Sequence, residues 1–587
     1  MKSIHDPSPK KQMTRKWLCA GAGLILLMTL VCYIPAIQSG FIWDDDDYIV
    51  NNPTLRSLDG LRRIWFTIGA IPQYYPLVHT SFWVEYHLWH LQPLGYHLIN
   101  VLLHAINSIL LWLVLRRLRI PGAWLAAAFF ALHPVHVESV AWITERKNVL
   151  SGCFYLAAIL AYLRFLRLDT SPIAASPAAD FPAPASDVTK NHWRFYVFAL
   201  GLYLCALLSK TVTCSMPAAL LLIVWWKRGR VDRRTVRSLI PFFLIGIVFG
   251  LTTVWMEKQH VGAQGEEWMF SLGERCLIAG RALWFYAGKL FWPCKLSFIY
   301  PRWNVSTGIW WQYIFPLTAV GVFIILWLAR ERLGRAPFTA VLFFAFTVAP
   351  SLGFFDIYPM RYTFVADHYQ YLASIGLIAL CTAGNMVIFS RCGTFQKLMG
   401  SSICGIMLLM LGLLTWQRGY IYQTPESLWK DTLIKNPKCW MAYNNLGVSL
   451  YKQGRIDEGM AYFKTSLAIN PNNDQAHYNL GVAYQKKGEL DKAVTSYTQA
   501  LAINPTNPRI YNNLGIVFAA RRKFEEAIQQ FTYGLALNNN DGEIHNNLAA
   551  VYFLQKNYRL AILHCDKAQQ LGYRINSRLL ESLKPYR

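Results

Sequence analysis

Four aspartates stand in succession in Phe41-Ile-Trp-Asp-Asp-Asp-Asp-Tyr48, directly after the first long apolar stretch of the chain. Like charges held this close repel, so at least one of Asp44, Asp45, Asp46 and Asp47 should bind its proton more tightly than usual or take a cationic partner. An extended backbone would send Asp44 and Asp46 to one side and Asp45 and Asp47 to the other. Such a cluster suits a general base, a metal site, or both. Mg2+ or Mn2+ would be the ion, because these prefer oxygen ligands. The plain alternative is a solvated acidic loop.

Three further groups carry chemistry. His97, Asn100 and His104 are spaced to share one face of a helix. His133-Pro-Val-His-Val-Glu138 leads into Glu145-Arg146-Lys147, and Arg361, Asp367 and His368 lie among several tyrosines. Each has a structural alternative in helix-to-helix hydrogen bonding or interfacial packing. No H-E-x-x-H motif is present, so a zinc site is not expected. If these groups share one membrane face, they fit sugar transfer from a lipid-phosphate carrier. The phosphate leaving group needs cations nearby, which Arg146, Lys147, Lys210, Arg361 and His368 would supply. The acceptor hydroxyl needs a base, and an oxocarbenium-like centre is stabilised by a carboxylate. His97, His104, His133 and Glu138 would support that arrangement.

The elements that must position these residues fall into two halves. The chain has 587 residues and 22 Trp, and hydropathy drops sharply near residue 417. A membrane part over 1–417 followed by a soluble part is expected. Eleven spans are predicted, near 17–37, 95–115, 121–141, 148–165, 194–209, 211–226, 238–256, 309–329, 337–353, 371–390 and 397–416. With the N-terminus in the cytoplasm, inner loops hold 23 Lys and Arg and outer loops 13, which follows the positive-inside bias. The segment 274–292 is apolar but carries Arg275, Arg281 and Lys289, so it is read as a surface helix rather than a span. Residues 169–192 are rich in Ala, Pro and Ser and read as a disordered inner linker. The net charge of +24 is explained by these loops, not by nucleic-acid binding. The 12 cysteines include no C-x-x-C and suggest no disulfide framework.

Beyond Trp416, Asn-Leu-Gly or its variant recurs at 445–447, 479–481, 513–515 and 547–549, a period of 34. That is the tetratricopeptide period. Small residues recur at Gly459, Ala493, Ala527 and Ala561, followed by Phe463, Tyr497, Phe531 and, departing, Cys565. These are packing positions. Four repeats over 440–575 are expected, after a connecting helix or partial repeat at 418–439 and before a cap at 576–587. Asn445, Asn479, Asn513 and Asn547 could hydrogen-bond an extended acceptor peptide through donor and acceptor alike, or cap helices within each repeat.

The motifs Phe41-Ile-Trp-Asp-Asp, Asn52-Pro, Tyr75-Pro-Leu77, Gly95-Tyr-His-Leu-Ile-Asn-Val-Leu-Leu-His104, His133-Pro-Val-His-Val-Glu138 and Ala366-Asp-His-Tyr-Gln-Tyr-Leu372 resemble the transmembrane and tetratricopeptide-repeat O-mannosyltransferase family and its bacterial relatives. The resemblance implies an all-α GT-C glycosyltransferase that uses a polyprenyl-phosphate-linked sugar. It also implies catalytic acids in the first outer loop, at Asp44 and Asp45, with Asp46 and Asp47 as supporting acids or metal ligands. The expected function is transfer of a mannose-like hexose to Ser or Thr of a protein outside the membrane, with the repeats presenting the acceptor. The expected location is a bacterial inner membrane with a periplasmic repeat domain, or the ER membrane in a eukaryote. The competing readings are a non-catalytic repeat scaffold for envelope proteins and an oligosaccharide ligase.

Overall fold

The computed structural model describes residues 15–168, 192–263, 265–391 and 393–587, so the linker expected at 169–192 lies, except for His192, outside the described residues. Helices are the only regular elements among the described residues. The chain divides into two compact units, Met1–Asp431 and Thr432–Arg587. The first therefore continues past the expected boundary at 417. Helix Thr394–Ile421 runs through that point and Arg418 is buried within the first unit.

Among the described residues of the first unit, six helices are long and apolar enough to cross a membrane, or seven spans if one bent pair counts as a span. Trp193–Ser209, Ala336–Ser351 and Ser374–Ser390 are shorter apolar helices. The segment expected as a span at 211–226 instead begins with a 3-10 turn, followed by the 13-residue helix Met216–Arg228. The helix ends follow local chemistry. Pro93 opens Pro93–Arg117, and Arg116 and Arg117 close it where the helix dipole is negative. Asp232 caps Arg233–Met256 by accepting from the Thr235 amide at 2.7 Å.

Two departures from regularity shape the site. The expected span at 121–141 bends by 54° between Ala123–Leu132 and Pro134–Ala141. Pro134 cannot continue the first helix, and the His133 ring accepts from the Val135 amide to start the next turn. The bend turns residues 134–145 into the protein interior, where all are buried. The helix Leu272–Phe291 is not among the span-like helices. Its cations are engaged by loop groups: Arg275 with Asp356 at 2.7 Å, Arg281 over the Trp303 ring at 4.4 Å, and Lys289 with the Cys294 carbonyl at 2.6 Å.

The second unit contains four helix pairs, from Trp440–Lys452 with Ile456–Ile469 to Gly542–Leu554 with Tyr558–Gln570, and a closing helix Ser577–Leu583. A Cβ built at Gly447, Gly481 or Gly515 would lie 2.5–2.6 Å from the ring of Phe463, Tyr497 or Phe531. Glycine is what lets those rings cross the partner helix. In the fourth repeat the aromatic is replaced by Cys565, and the glycine by Ala549.

Candidate active site

The aspartate run is wound, not extended. The amides of Asp45, Asp46 and Asp47 donate to the carbonyls of Ile42, Trp43 and Asp44, and a single wide turn follows over Asp46–Val50. Trp43 sits at φ 45°, a left-handed conformation costly for a tryptophan. Its ring is held by stacking on Trp142, with centroids 5.3 Å apart, and by the edges of Phe298 and Trp429. The turn gives the four carboxylates four different environments.

Asp45 is fully buried. It accepts from the Ile42 amide at 2.9 Å, the Thr144 amide at 2.9 Å and the Thr144 hydroxyl at 2.5 Å. Oδ1 takes both Thr144 donors and pins the aspartate loop to the 142–145 turn, while Oδ2 closes that loop on its own Ile42 amide. Asp44 is partly exposed, and no described residue donates a hydrogen bond to its carboxylate. Crowding by protein pushes its pKa up to about 7. The Lys147 ammonium pulls the other way, and Asp47 and Glu145 add to the rise. That is the range of a general base working near neutrality. Burial also raises Asp45 to about 7, against the pull of its three donors. Asp46 lies at the start of the wide turn, and Asp47 is exposed.

A cavity of about 380 Å³ lies in the first unit; Lys147, whose charge acts on Asp44, lines it, and Asp44 does not. The cavity wall has two characters. Phe243, Ile247, Leu251 and Val254, all from Arg233–Met256, form an apolar side. Lys147, Lys210 and His368, gathered round Glu145, form a polar side, and Tyr75, Glu257 and Asp356 also line the cavity. The three basic groups converge on one buried carboxylate. Glu145 meets Lys147 at 2.9 Å, Lys210 at 3.3 Å and the His368 Nε2 at 3.9 Å. Asn148 donates to Glu145 at 2.6 Å and accepts from Lys210 at 2.7 Å. Glu138 pairs with His368 Nδ1 at 2.7 Å and fixes the ring. Burial, only partly offset by Glu145, lowers Lys210 to about 8.

Several expected residues stand elsewhere. Arg146 does not line the cavity. It is fully buried and forks onto Glu85, with further bonds to the Tyr96 carbonyl at 2.9 Å and the Asn100 side chain. Arg361 pairs with Glu267 at 2.8 Å, also outside the cavity wall. His97 meets the Gly40 carbonyl at 3.3 Å, His104 the Tyr371 hydroxyl at 2.8 Å, and His133 the Leu290 carbonyl at 2.9 Å. All three histidines join elements within the unit, and none lines the cavity.

Sequence reasoning did not single out Glu145, Gln73, Glu257, Asp356 or Thr211 as cavity residues, nor Thr144 as the anchor of Asp45. Gln73 donates to Glu257 at 2.7 Å, and the other oxygen of Glu257 accepts from the Tyr358 amide at 3.1 Å. Only the Glu145-Arg146-Lys147 triplet carried a signal. Behind the site, Asp367 accepts from Tyr300 at 2.8 Å and faces Arg418 at 3.5 Å. Burial raises Asp367 to about 7, and Arg418 opposes the rise.

Mg2+ or Mn2+ on the aspartate run would draw on oxygen ligands. Asp45 is consumed by its own donors, and among the described residues no three His, Cys, Asp or Glu side chains gather as a metal site.

In the repeat unit, Asn479 donates to Asn444 at 2.9 Å, Asn513 to Tyr478 at 2.8 Å and Asn547 to Asn512 at 2.8 Å. These bonds form a ladder between successive repeats, not caps within them. Asn445 occupies the equivalent place in the first repeat.

Residues 447–488 and 486–521 match the TPR repeat family, and residues 512–572 match the tetratricopeptide repeat family. A protein O-mannosyl-transferase of Caenorhabditis elegans is 22% identical over 471 residues, covering 76% of this chain and 62% of that protein. The Drosophila melanogaster protein O-mannosyl-transferase Tmtc3 is 24% identical over 532 residues, covering 78% of this chain and 55% of that protein. The Drosophila melanogaster protein O-mannosyl-transferase Tmtc1 is 36% identical over 172 residues, covering 27% of this chain and 20% of that protein. In the two longest of these matches the chain spans 62% and 55% of the curated relative's length. This is a multi-pass helical membrane chain with tetratricopeptide repeats, and over about three quarters of its length it is similar to protein O-mannosyl-transferases.

Proposed function

We propose that the chain is a membrane glycosyltransferase that moves one mannose-like hexose from a polyprenyl-phosphate carrier to a Ser or Thr hydroxyl of a protein outside the membrane. The observation that carries the reading is the two-faced cavity. An apolar wall along Arg233–Met256 suits a polyprenyl chain, and Lys147, Lys210 and His368 on the polar side suit a phosphate. Glu145 holds these groups together before donor binds, which limits the reorganisation that binding requires. Tyr75, Gln73, Glu257 and Asp356 offer hydrogen bonds to sugar hydroxyls.

In the reaction, the bond from the sugar C1 to the phosphate oxygen breaks and a bond from C1 to the acceptor oxygen forms. The leaving phosphate keeps the electron pair and is stabilised by the lysines. The acceptor proton passes to Asp44, whose carboxylate is available near neutral pH. Asp45 positions Asp44 through Thr144 and touches neither reactant. The repeats present the acceptor protein. Lys and Arg placement puts the N-terminus in the cytoplasm and the repeats in the periplasm, or in the ER lumen of a eukaryote. The test uses purified full chain, polyprenyl-phosphate mannose and a Ser/Thr peptide. A hexose added to the peptide by wild type and not by Asp44→Asn supports the reading; no transfer by wild type rejects it.

A further inference from the structure

A second cavity, of about 510 Å³, is separate from the first and has a different chemistry. Its wall is apolar except at two residues, Arg119 and Thr339, and no carboxylate lines it. It reaches residues 118–121 and 333–337, loops that the Lys and Arg pattern puts on the cytoplasmic side.

The mouth is cationic. Helix Pro93–Arg117 closes with the Ile120 amide donating to the Leu115 carbonyl at 3.0 Å, a closure that needs a left-handed residue just beyond the helix. Glycine normally fills that place. Here it is Arg119, at φ 53°, so a strained backbone carries a guanidinium at the cavity rim. Lys227 donates to the carbonyl of Leu118 and lies 3.9 Å from the ring of Trp226, and both Leu118 and Trp226 line the cavity.

We propose that this cavity is a binding site for an anionic phospholipid, with an acyl chain in the apolar interior and the phosphate between Arg119 and Lys227. Charge complementarity selects the anionic headgroup, because each lysine or arginine near a headgroup adds to its attraction.

Gly384 gives a direct test. It lines the cavity, and a Cβ built there meets nothing within 4 Å. Gly384→Phe therefore fills the space without pressing on the core. The full chain is reconstituted with phosphatidylglycerol or phosphatidylcholine, and retained lipid is counted by native mass spectrometry. Wild type is expected to retain phosphatidylglycerol at least about tenfold better than phosphatidylcholine. Arg119→Glu/Lys227→Glu should abolish that preference, and Gly384→Phe should remove retention. Circular dichroism of each variant checks that the fold is retained. Equal retention of the two lipids by wild type would overturn the proposal. So would retention by folded Gly384→Phe at the wild-type level, or occupancy by detergent alone.

Discussion

Asp44→Asn and Asp45→Asn remove the same charge from adjacent residues, yet they should fail in different ways. Among the described residues none donates a hydrogen bond to the Asp44 carboxylate, whose pKa is raised from 3.8 to about 7. A raised folded-state pKa means that the proton stabilises the fold fully below about pH 4, a contribution lost as pH rises through about 7. Above that, the ionised group costs the fold at most about 4 kcal/mol, a cost that Asn avoids. At pH 8 Asp44→Asn should therefore melt no lower than wild type, while transfer falls by about two to four orders of magnitude for want of a base. Asp45 instead satisfies three donors. An amide in its place turns an N–H2 group toward at least one of them, costing about 1–3 kcal/mol. Asp45→Asn should lower the thermal midpoint and loosen the loop, with donor affinity and rate declining together. The assays are thermal unfolding in detergent at pH 8 and initial transfer rates from pH 5 to 9. Wild-type rates should rise with pH through about 7, and the residual rate of Asp44→Asn should lack that limb. A wild-type rate in Asp44→Asn, or a loss of stability larger than that of Asp45→Asn, would refute the division of labour.

Three other outcomes are expected. Arg146→Met strands Glu85 in the interior and should cost about 3–5 kcal/mol, whereas Glu85→Gln/Arg146→Met recovers much of it; equal unfolding midpoints for the single and double variants would contradict the buried pair. Gly481→Ala forces a methyl to within 2.5 Å of the Tyr497 ring and should destabilise the repeat unit by about 1–3 kcal/mol, read as an earlier unfolding step of the full chain, with donor binding unchanged. A periplasm-active reporter fused after residue 420 should be active and one fused at residue 180 silent; activity at both would reverse the assigned orientation.

The repeats were legible in the sequence because a stacked array repeats the same local packing every 34 residues. A small residue that admits a ring, and the ring itself, therefore recur in register, as Gly447 with Phe463 and Gly481 with Tyr497. The long apolar helices were legible because solvation by lipid acts on composition, whatever the neighbours. Residue type and loop singled out Lys147, Lys210 and His368, which gather round Glu145. Tertiary structure decided which members of each run face which partner. Arg146 and Lys147 are neighbours in sequence but stand about 100° apart around a helix, so one enters the Glu85 pair and the other the cavity. The aspartates of the first loop are alike in sequence, and only the left-handed turn at Trp43 and the donors of Thr144 separate a clamped Asp45 from an available Asp44. Glu145, Gln73 and Glu257 gain their meaning from groups that reach them across the fold, as Lys210 does Glu145 and Gln73 does Glu257. Charge and hydrogen-bond chemistry depend on distance in space, and a linear pattern fixes that distance only within a helix turn or a repeat.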